Sequence, residues 1–219
     1  MTRQLALDLG HRPALGREDF LIAPANRDAV AWIDRWPDWP HFALALAGPA
    51  GAGKSHLAAV WRARTGATMA PEPADVAERG CYVLDDADRI ADETVFLHRY
   101  NLIAERGGNL LLIARESPSR WRIGLPDLRS RLASVPVAEL DPPDDTLLAA
   151  VMVKQFADRQ LRPPDDVVVY LLTRIERSFA AVRRIVAALD HAALSERRPI
   201  TVALAREILA RENQPLASP

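Results

Sequence analysis

The sequence predicts an α/β chain, in which a parallel sheet with helices on both faces is followed by a small all-helical domain. Three observations predict it. Residues Gly48-Pro49-Ala50-Gly51-Ala52-Gly53-Lys54-Ser55 fill every fixed position of the phosphate-binding loop pattern G-x-x-x-x-G-K-[ST]. Up to about residue 141, short apolar runs alternate with helical stretches, the order that buries a parallel sheet between helices. From residue 142 onward the hydrophobic period is helical throughout.

Each element has its own signal. Gln4-Leu5-Ala6-Leu7-Asp8-Leu9 alternates leucine with smaller or polar residues, the period of an extended segment, and Gly10 and Pro13 follow. Residues 1–12 therefore read as a tail. Ala25 to Trp36 reads as a helix with Asn26 as its N-cap, ended by Pro37 and Pro40. His41 to Ala47 is a buried strand, the phosphate loop follows, and His56 to Ala63 is a helix. Residues 66–80, with Pro71 and Pro73, read as a looser stretch. Cys81 to Leu84 is a second strand. Glu93 to Arg106 is a helix stopped by Gly107-Gly108, and Asn109 to Ala114 is a third strand. Leu125 to Leu132 reads as an amphipathic turn of helix. Asp141-Pro142-Pro143-Asp144-Asp145 places prolines and acids where a helix starts. Helices are then expected over 146–161, 165–175 and 179–194, with a fourth capped by Thr201 and reaching Arg211. The domain division that follows is a core over 13–141 and a helical domain over 142–219.

Composition narrows the function classes. Hydrophobic residues are 49% of the 219, enough for a packed core. The formal net charge is −1, which argues against a protein that grips nucleic-acid backbones through a basic surface. The one cysteine, Cys81, excludes an internal disulfide and fits a reducing compartment. No apolar run approaches the roughly 20 residues that span a bilayer, and the N-terminus lacks a signal-peptide layout.

The loop specifies its ligand by chemistry. Its glycines let successive N–H groups turn inward as an anion nest, Lys54 adds a point charge for the outer phosphates, and Ser55 offers a hydroxyl to a magnesium ion. The helix that follows brings its positive end to the same place. Asp85 closes an apolar strand, where phosphate-loop ATPases keep the acid that holds magnesium. Asp86, beside it, suits orienting or activating a water.

With these pieces in place, the chain resembles the AAA+ ATPases of the DnaA family, most nearly the Hda-type regulators within it. The resemblance spans nearly all of the chain. Phe20-Leu21-Ile22-Ala23-Pro24-Ala25-Asn26 is similar to the segment that opens the family's ATPase core beside the adenine, which implies a nucleotide contact at Ile22. The phosphate loop running through Ser55 into His56, and the Asp85-Asp86 pair, match the family as well. Leu125-Pro126-Asp127-Leu128-Arg129-Ser130-Arg131-Leu132 is similar to its arginine-finger box, with Arg131 as the finger acting in trans and Arg129 as the other arginine of the pair. Arg183, after Val182, stands where the family carries its second sensor arginine in a helical lid. Gln4, Leu5, Leu7 and Leu9 look like the short peptide that docks such regulators on the sliding clamp. The helix-turn-helix DNA-binding domain that closes DnaA is expected to be absent. One departure is Arg115-Glu116, where the first sensor is usually small and polar or acidic. Arg115 has two orientations open to it, toward the nucleotide's phosphates or toward Glu116, and the departure argues for weak hydrolysis by the chain itself.

The resemblance implies an AAA+ fold, ADP or ATP with Mg2+ as cofactors, and a cytoplasmic, replisome-associated bacterial protein. Its implied partners are the DNA polymerase sliding clamp and DnaA, with a homo-oligomer also open and little or no direct contact with DNA or membrane. The function so implied is negative regulation of replication initiation: docking on DNA-loaded clamp and stimulating ATP hydrolysis by DnaA. Two other functions also use a phosphate loop, a helicase-loader-like ATPase on single-stranded DNA and a small phosphotransferase. Near-neutral charge and the tail oppose the first; the helical C-terminal domain with its sensor-like arginine opposes the second.

Overall fold

The computed structural model describes residues 21–212, so the clamp-like segment with Gln4, Leu5, Leu7 and Leu9 lies outside the described residues. The described chain forms two compact units that meet in sequence at Pro142–Pro143.

The first unit is built on a five-stranded sheet in which every pair is parallel. Its strands are β1 (Ala43–Ala47), β2 (Thr68–Met69), β3 (Cys81–Leu84), β4 (Asn109–Ala114) and β5 (Val137–Glu139). They stand in the order β2-β3-β4-β1-β5. Its helices are α1 (Arg27–Asp34), α2 (Lys54–Thr65), α3 (Glu93–Glu105) and α4 (Pro126–Ala133). The strand period of two sorts the side chains. Leu44, Leu46, Val83, Leu111 and Ile113 face one core with Ile33 of α1 and Leu57 and Trp61 of α2. Ala43, Ala45, Tyr82, Leu110 and Leu112 face the other with Phe96, Tyr100 and Ile103 of α3 and Leu128 and Leu132 of α4. Helices cover both faces, as the apolar strand runs predict.

The first core is rich in indoles. Trp61, fully buried, stacks on Trp39 with ring centroids 5.4 Å apart and meets Trp36 edge-on at 6.3 Å. Trp36 Nε1 donates to Asn109 Oδ1 at 2.5 Å, and the Arg64 guanidinium donates to the Asp34 and Trp36 carbonyls. These contacts tie the end of α1 to α2 and to the start of β4.

Local expectations differ from the structure in three places. Asn26 precedes α1 but makes no side-chain cap; its Oδ1 accepts the Ala23 N–H and its amide donates to the Leu21 carbonyl, so it closes the preceding turn instead. The looser stretch over 66–80 contains β2, whose two residues are too few to show a period. β5 was not expected at all, since its three residues follow the helix of Leu125 to Leu132 with no apolar run.

The second unit is four helices: α5 (Asp145–Asp158), α6 (Asp165–Leu172), α7 (Phe179–Glu196) and α8 (Val202–Glu212). Leu148, Met152 and Phe156 of α5 fall one turn apart and meet Val182, Ile185, Val186 and Leu189 of α7, with Val167, Leu171, Leu204 and Ile208 completing the core. Three helices start on side-chain caps: Asp144 accepts the Leu147 N–H at 2.7 Å, the buried Ser178 accepts that of Ala181 at 3.1 Å, and Thr201 accepts that of Leu204 at 3.3 Å. Among the described residues, no helix is long and apolar enough to cross a membrane.

Trp61→Ala removes the indole on which the first core is centred. It should cost about 3–5 kcal/mol, read as a lower urea midpoint at unchanged slope.

Candidate functional site

The site forms where β1 ends. Leu140 N–H, just past β5, donates to the Ala47 carbonyl at 2.8 Å, and Asp141 N–H donates to the Ala25 carbonyl at 2.9 Å. This packing brings the Leu140 carbonyl against Gly48, where any Cβ would lie 2.3 Å from that oxygen. The loop can start here only with glycine. It ends at Gly53, the residue before α2, with φ +99° in the left-handed region. Lys54 opens α2 and its Nζ donates back to the Gly48 and Pro49 carbonyls at 2.6 and 2.8 Å. Ser55 is exposed and His56 half-buried in the same first turn, while Pro49 and Ala50 are exposed at the loop's tip. Ala52 is buried under it, its N–H donating to the Pro49 carbonyl, and Gly51 lies between.

The charged residues converge on Lys54. Burial pushes its ammonium below the ordinary lysine range. Asp85 pulls it back, Arg115 pushes it down as a like charge, and Asp88 and Asp86 pull it back further. Five charged side chains from the ends of β3 and β4 and the start of α2 therefore share one electrostatic neighbourhood. Asp85 and Asp86 are both exposed, and Asp85 Oδ1 accepts the Asp86 N–H at 2.9 Å. Asp86 itself has φ +48°, a left-handed backbone that Asp adopts more readily than most side chains.

Asp88, two residues past Asp86, carries no functional mark in the sequence. Its Oδ2 accepts the Arg115 N–H at 3.1 Å, which joins the turn after β3 to the turn after β4. The Ala87 N–H to Ile113 carbonyl bond, 2.8 Å, ties the same turn to β4 itself. Arg115 is exposed; its backbone N–H is held by Asp88, and its guanidinium acts on Lys54.

Arg129 and Arg131 are both exposed on α4, with Leu128 and Leu132 buried beneath. Arg131 Nε donates to Asp127 Oδ1 at 3.0 Å, one turn earlier on the same helix. Arg131 also acts on Tyr100 of α3. Tyr100 Oη lies 3.5 Å from His41 Nε2, whose ring accepts the Ala43 N–H at Nδ1. With Nδ1 accepting, the neutral ring carries its proton on Nε2 and donates toward the phenol. Glu93, first residue of α3, accepts the Gly124 N–H at 2.8 Å and the Leu125 N–H at 2.6 Å. Those bonds, Gly124 first, hold its carboxyl below the usual range, with Arg129 adding to them. A glutamate opening a helix carries no sequence mark of such a role. Ile22 is 52% exposed ahead of α1. Arg183 is exposed on α7 in the second unit, one residue after the buried Val182.

For magnesium, the donor set is chemically suitable: a serine hydroxyl and carboxylates, all hard oxygens. Among the described residues no three His, Cys, Asp or Glu cluster as a metal cage.

The architecture matches known structures over most of its length. The crystal structure of domain III of the Thermotoga maritima replication initiation protein DnaA aligns at a TM-score of 0.78 and 17% identity, covering 93% of this chain and 99% of that one. A replication initiator DnaA bound to AMPPCP and single-stranded DNA aligns at 0.66 and 15% identity, covering 86% and 70%. A Thermotoga maritima RuvB variant aligns at 0.73 and 16% identity, covering 93% and 74%. At such identities these likenesses establish the fold. Residues 144–209 match the family model for the Hda lid domain. The chain therefore shares its fold with DnaA domain III, and its second unit resembles an Hda lid domain. The matched residues take in α5, α6, α7 and most of α8, and Arg183 lies among them.

Burial raises the Tyr100 phenol to about 12, against the opposing pull of Arg131. A tyrosine ionises near 10 when unfolded, so the fold holds the proton more tightly and stability should fall as pH rises from about 10 to 12. An absorbance titration at 295 nm should show one late phenolate step that Tyr100→Phe removes.

Proposed function

We propose that the chain is an adenine-nucleotide-binding regulator of replication initiation that docks on DNA-loaded sliding clamp and stimulates ATP hydrolysis by DnaA. The observation that carries the reading is the Hda-type lid on a chain with an intact phosphate loop. In this reading the N–H groups of residues 48–55 and Lys54 hold the phosphates of ADP or ATP. Ile22 and His56 border the nucleotide, and Arg183 serves as the lid's sensor. Ser55 and Asp85 would hold Mg2+, which would neutralise phosphate charge. Asp86 orients water, and Arg115 adds a second cation near Lys54. Gln4, Leu5, Leu7 and Leu9 form the clamp-docking peptide; a fully buried leucine contributes roughly 1.5–3 kcal/mol. The core over 13–141, the lid over 142–219 and the tail over 1–12 are the working parts.

Arg131 is the residue proposed to enter DnaA's nucleotide site. Its present partner holds it lightly. An exposed i,i+4 pair such as Arg131–Asp127 is worth about 0.3–0.5 kcal/mol, whereas an arginine supplied in trans to phosphoryl transfer is worth about 10³–10⁵ in rate, or roughly 4–7 kcal/mol. Giving up the pair therefore costs little beside the barrier that the arginine would lower. Docking on clamp raises the regulator's local concentration near DnaA on the same DNA, so a weak contact suffices.

The deciding experiment measures ATP hydrolysis by purified DnaA with clamp loaded on DNA, adding the protein or leaving it out, and repeats it without clamp. Clamp-dependent acceleration supports the reading; no acceleration overturns it. Tight binding to single-stranded DNA without clamp retention would favour a helicase-loader-like ATPase.

Lys54→Ala should weaken ADP and ATP binding at least about tenfold by calorimetry, since it removes a charge-assisted contact worth about 1.5–3 kcal/mol. Arg131→Ala should keep nucleotide and clamp binding yet lose the stimulation of DnaA, by up to about 10³–10⁵ in rate. If Arg129→Ala does this instead, the other arginine of the pair is the finger.

A further inference from the structure

We propose that Glu93 is a positioning residue for the arginine pair of α4, because its carboxylate fixes where that helix begins. The inference rests on the reading of α4 as the finger-bearing helix.

The start of α4 lacks the means to cap itself. Its first residue is Pro126, which has no N–H, and the residue before it is Leu125, which has no side-chain acceptor. The N–H groups of Gly124 and Leu125 must find a partner elsewhere. Glu93 supplies it from another helix, one carboxylate oxygen to each N–H, at 2.8 and 2.6 Å. Charge-assisted bonds of this length are the strong ones. Glu93 is available because its neighbour does the local work: Asp92 accepts the Thr94 and Val95 N–H groups as the cap of α3. One carboxylate thus sits at the positive ends of two helices at once.

Apolar packing alone leaves the N–H groups at the helix start without partners. Leu128 and Leu132 are buried on one stripe of an eight-residue helix. That stripe, with Ile123 and Leu125 packed against the same core ahead of it, sets which face points inward. Upstream, the Trp121 indole is held by the Glu116 carbonyl at 2.8 Å, and the chain then runs through Arg122, Ile123 and Gly124 to the helix. Glu93 is the polar anchor at the end of that connection. Arg129 lies one turn beyond Leu125 and feels the same carboxylate. An arginine that must meet a partner's phosphate within a few tenths of an ångström needs its helix start fixed in this way.

The test compares the full chain with Glu93→Ala and Glu93→Gln. The Ala variant has no acceptor; the Gln variant keeps one. Amide exchange at Gly124 and Leu125, followed by NMR, should accelerate at least about tenfold in Glu93→Ala and less in Glu93→Gln. Stimulation of DnaA hydrolysis should fall at least about tenfold in Glu93→Ala and recover in part in Glu93→Gln, with calorimetric nucleotide affinity unchanged in both. Unchanged exchange overturns the inference, and so does fast exchange with full stimulation. If Glu93→Ala lowers the melting temperature enough to cloud the assay, Glu93→Gln carries the same two readouts against wild type. Arg129→Ala and Arg131→Ala are measured alongside. If both keep full stimulation, the finger reading fails. If either loses it while Glu93→Ala does not, only the role of Glu93 fails.

Discussion

Strand β1 is paired along both edges, with β4 and with β5, and its Ala43-Leu44-Ala45-Leu46-Ala47 sequence lets helices press on both faces. Small and large residues alternate, so α2 and α1 meet leucines while α3 and α4 meet alanines. The rest of the site inherits its position from this strand. The loop leaves β1 between the ends of two neighbours, with Leu140 crowding it from one side and Arg115 standing at the end of β4 on the other. β3, one strand further out, delivers Asp85 and Asp86 to the same end of the sheet. A parallel sheet sends every strand's C-terminal end to one side, which is why residues far apart in sequence share one electrostatic neighbourhood.

Carboxylates in this unit divide their work by what they touch. Asp85 and Asp86 stay exposed and offer oxygens outward. Asp88 and Glu93 instead accept backbone N–H groups of segments that begin other functional stretches, Arg115 in one case and Gly124 with Leu125 in the other. Carboxylates of this kind hold the polar backbone of loops at the edge of the core, where Ala87, Ile123 and Leu125 pack beneath them.

Much of this was legible in the sequence because the signals were long or chemically rigid. The phosphate loop is fixed by glycines that nothing else can replace, such as Gly48 under the Leu140 carbonyl. The strands Cys81–Leu84 and Asn109–Ala114 begin and end where their apolar runs do, because both faces are buried. The lid helices follow from a 3.6-residue period and from Asp144 and Thr201 as caps. Edge strands β2 and β5 escaped, since two or three residues carry no period and their existence depends on a neighbour already in place. Asn26 misled because the same side chain that caps helices also closes turns, and only the geometry of Ala23 and Leu21 decides between them. Glu93 and Asp88 were invisible as ties, since their partners are backbone N–H groups with no residue identity.

The indoles are distributed unevenly. All five tryptophans fall within residues 32–121, four of them in or against the core of α1 and α2, and Trp121 in the core on the opposite face of the sheet. Residues 143–212 carry none, and Tyr170 is their only phenol. Indole emission is therefore a private channel of the α/β unit, while far-ultraviolet ellipticity is weighted by the helices of both. Two optical traces of a single denaturation would separate the fate of one unit from that of the other without any label.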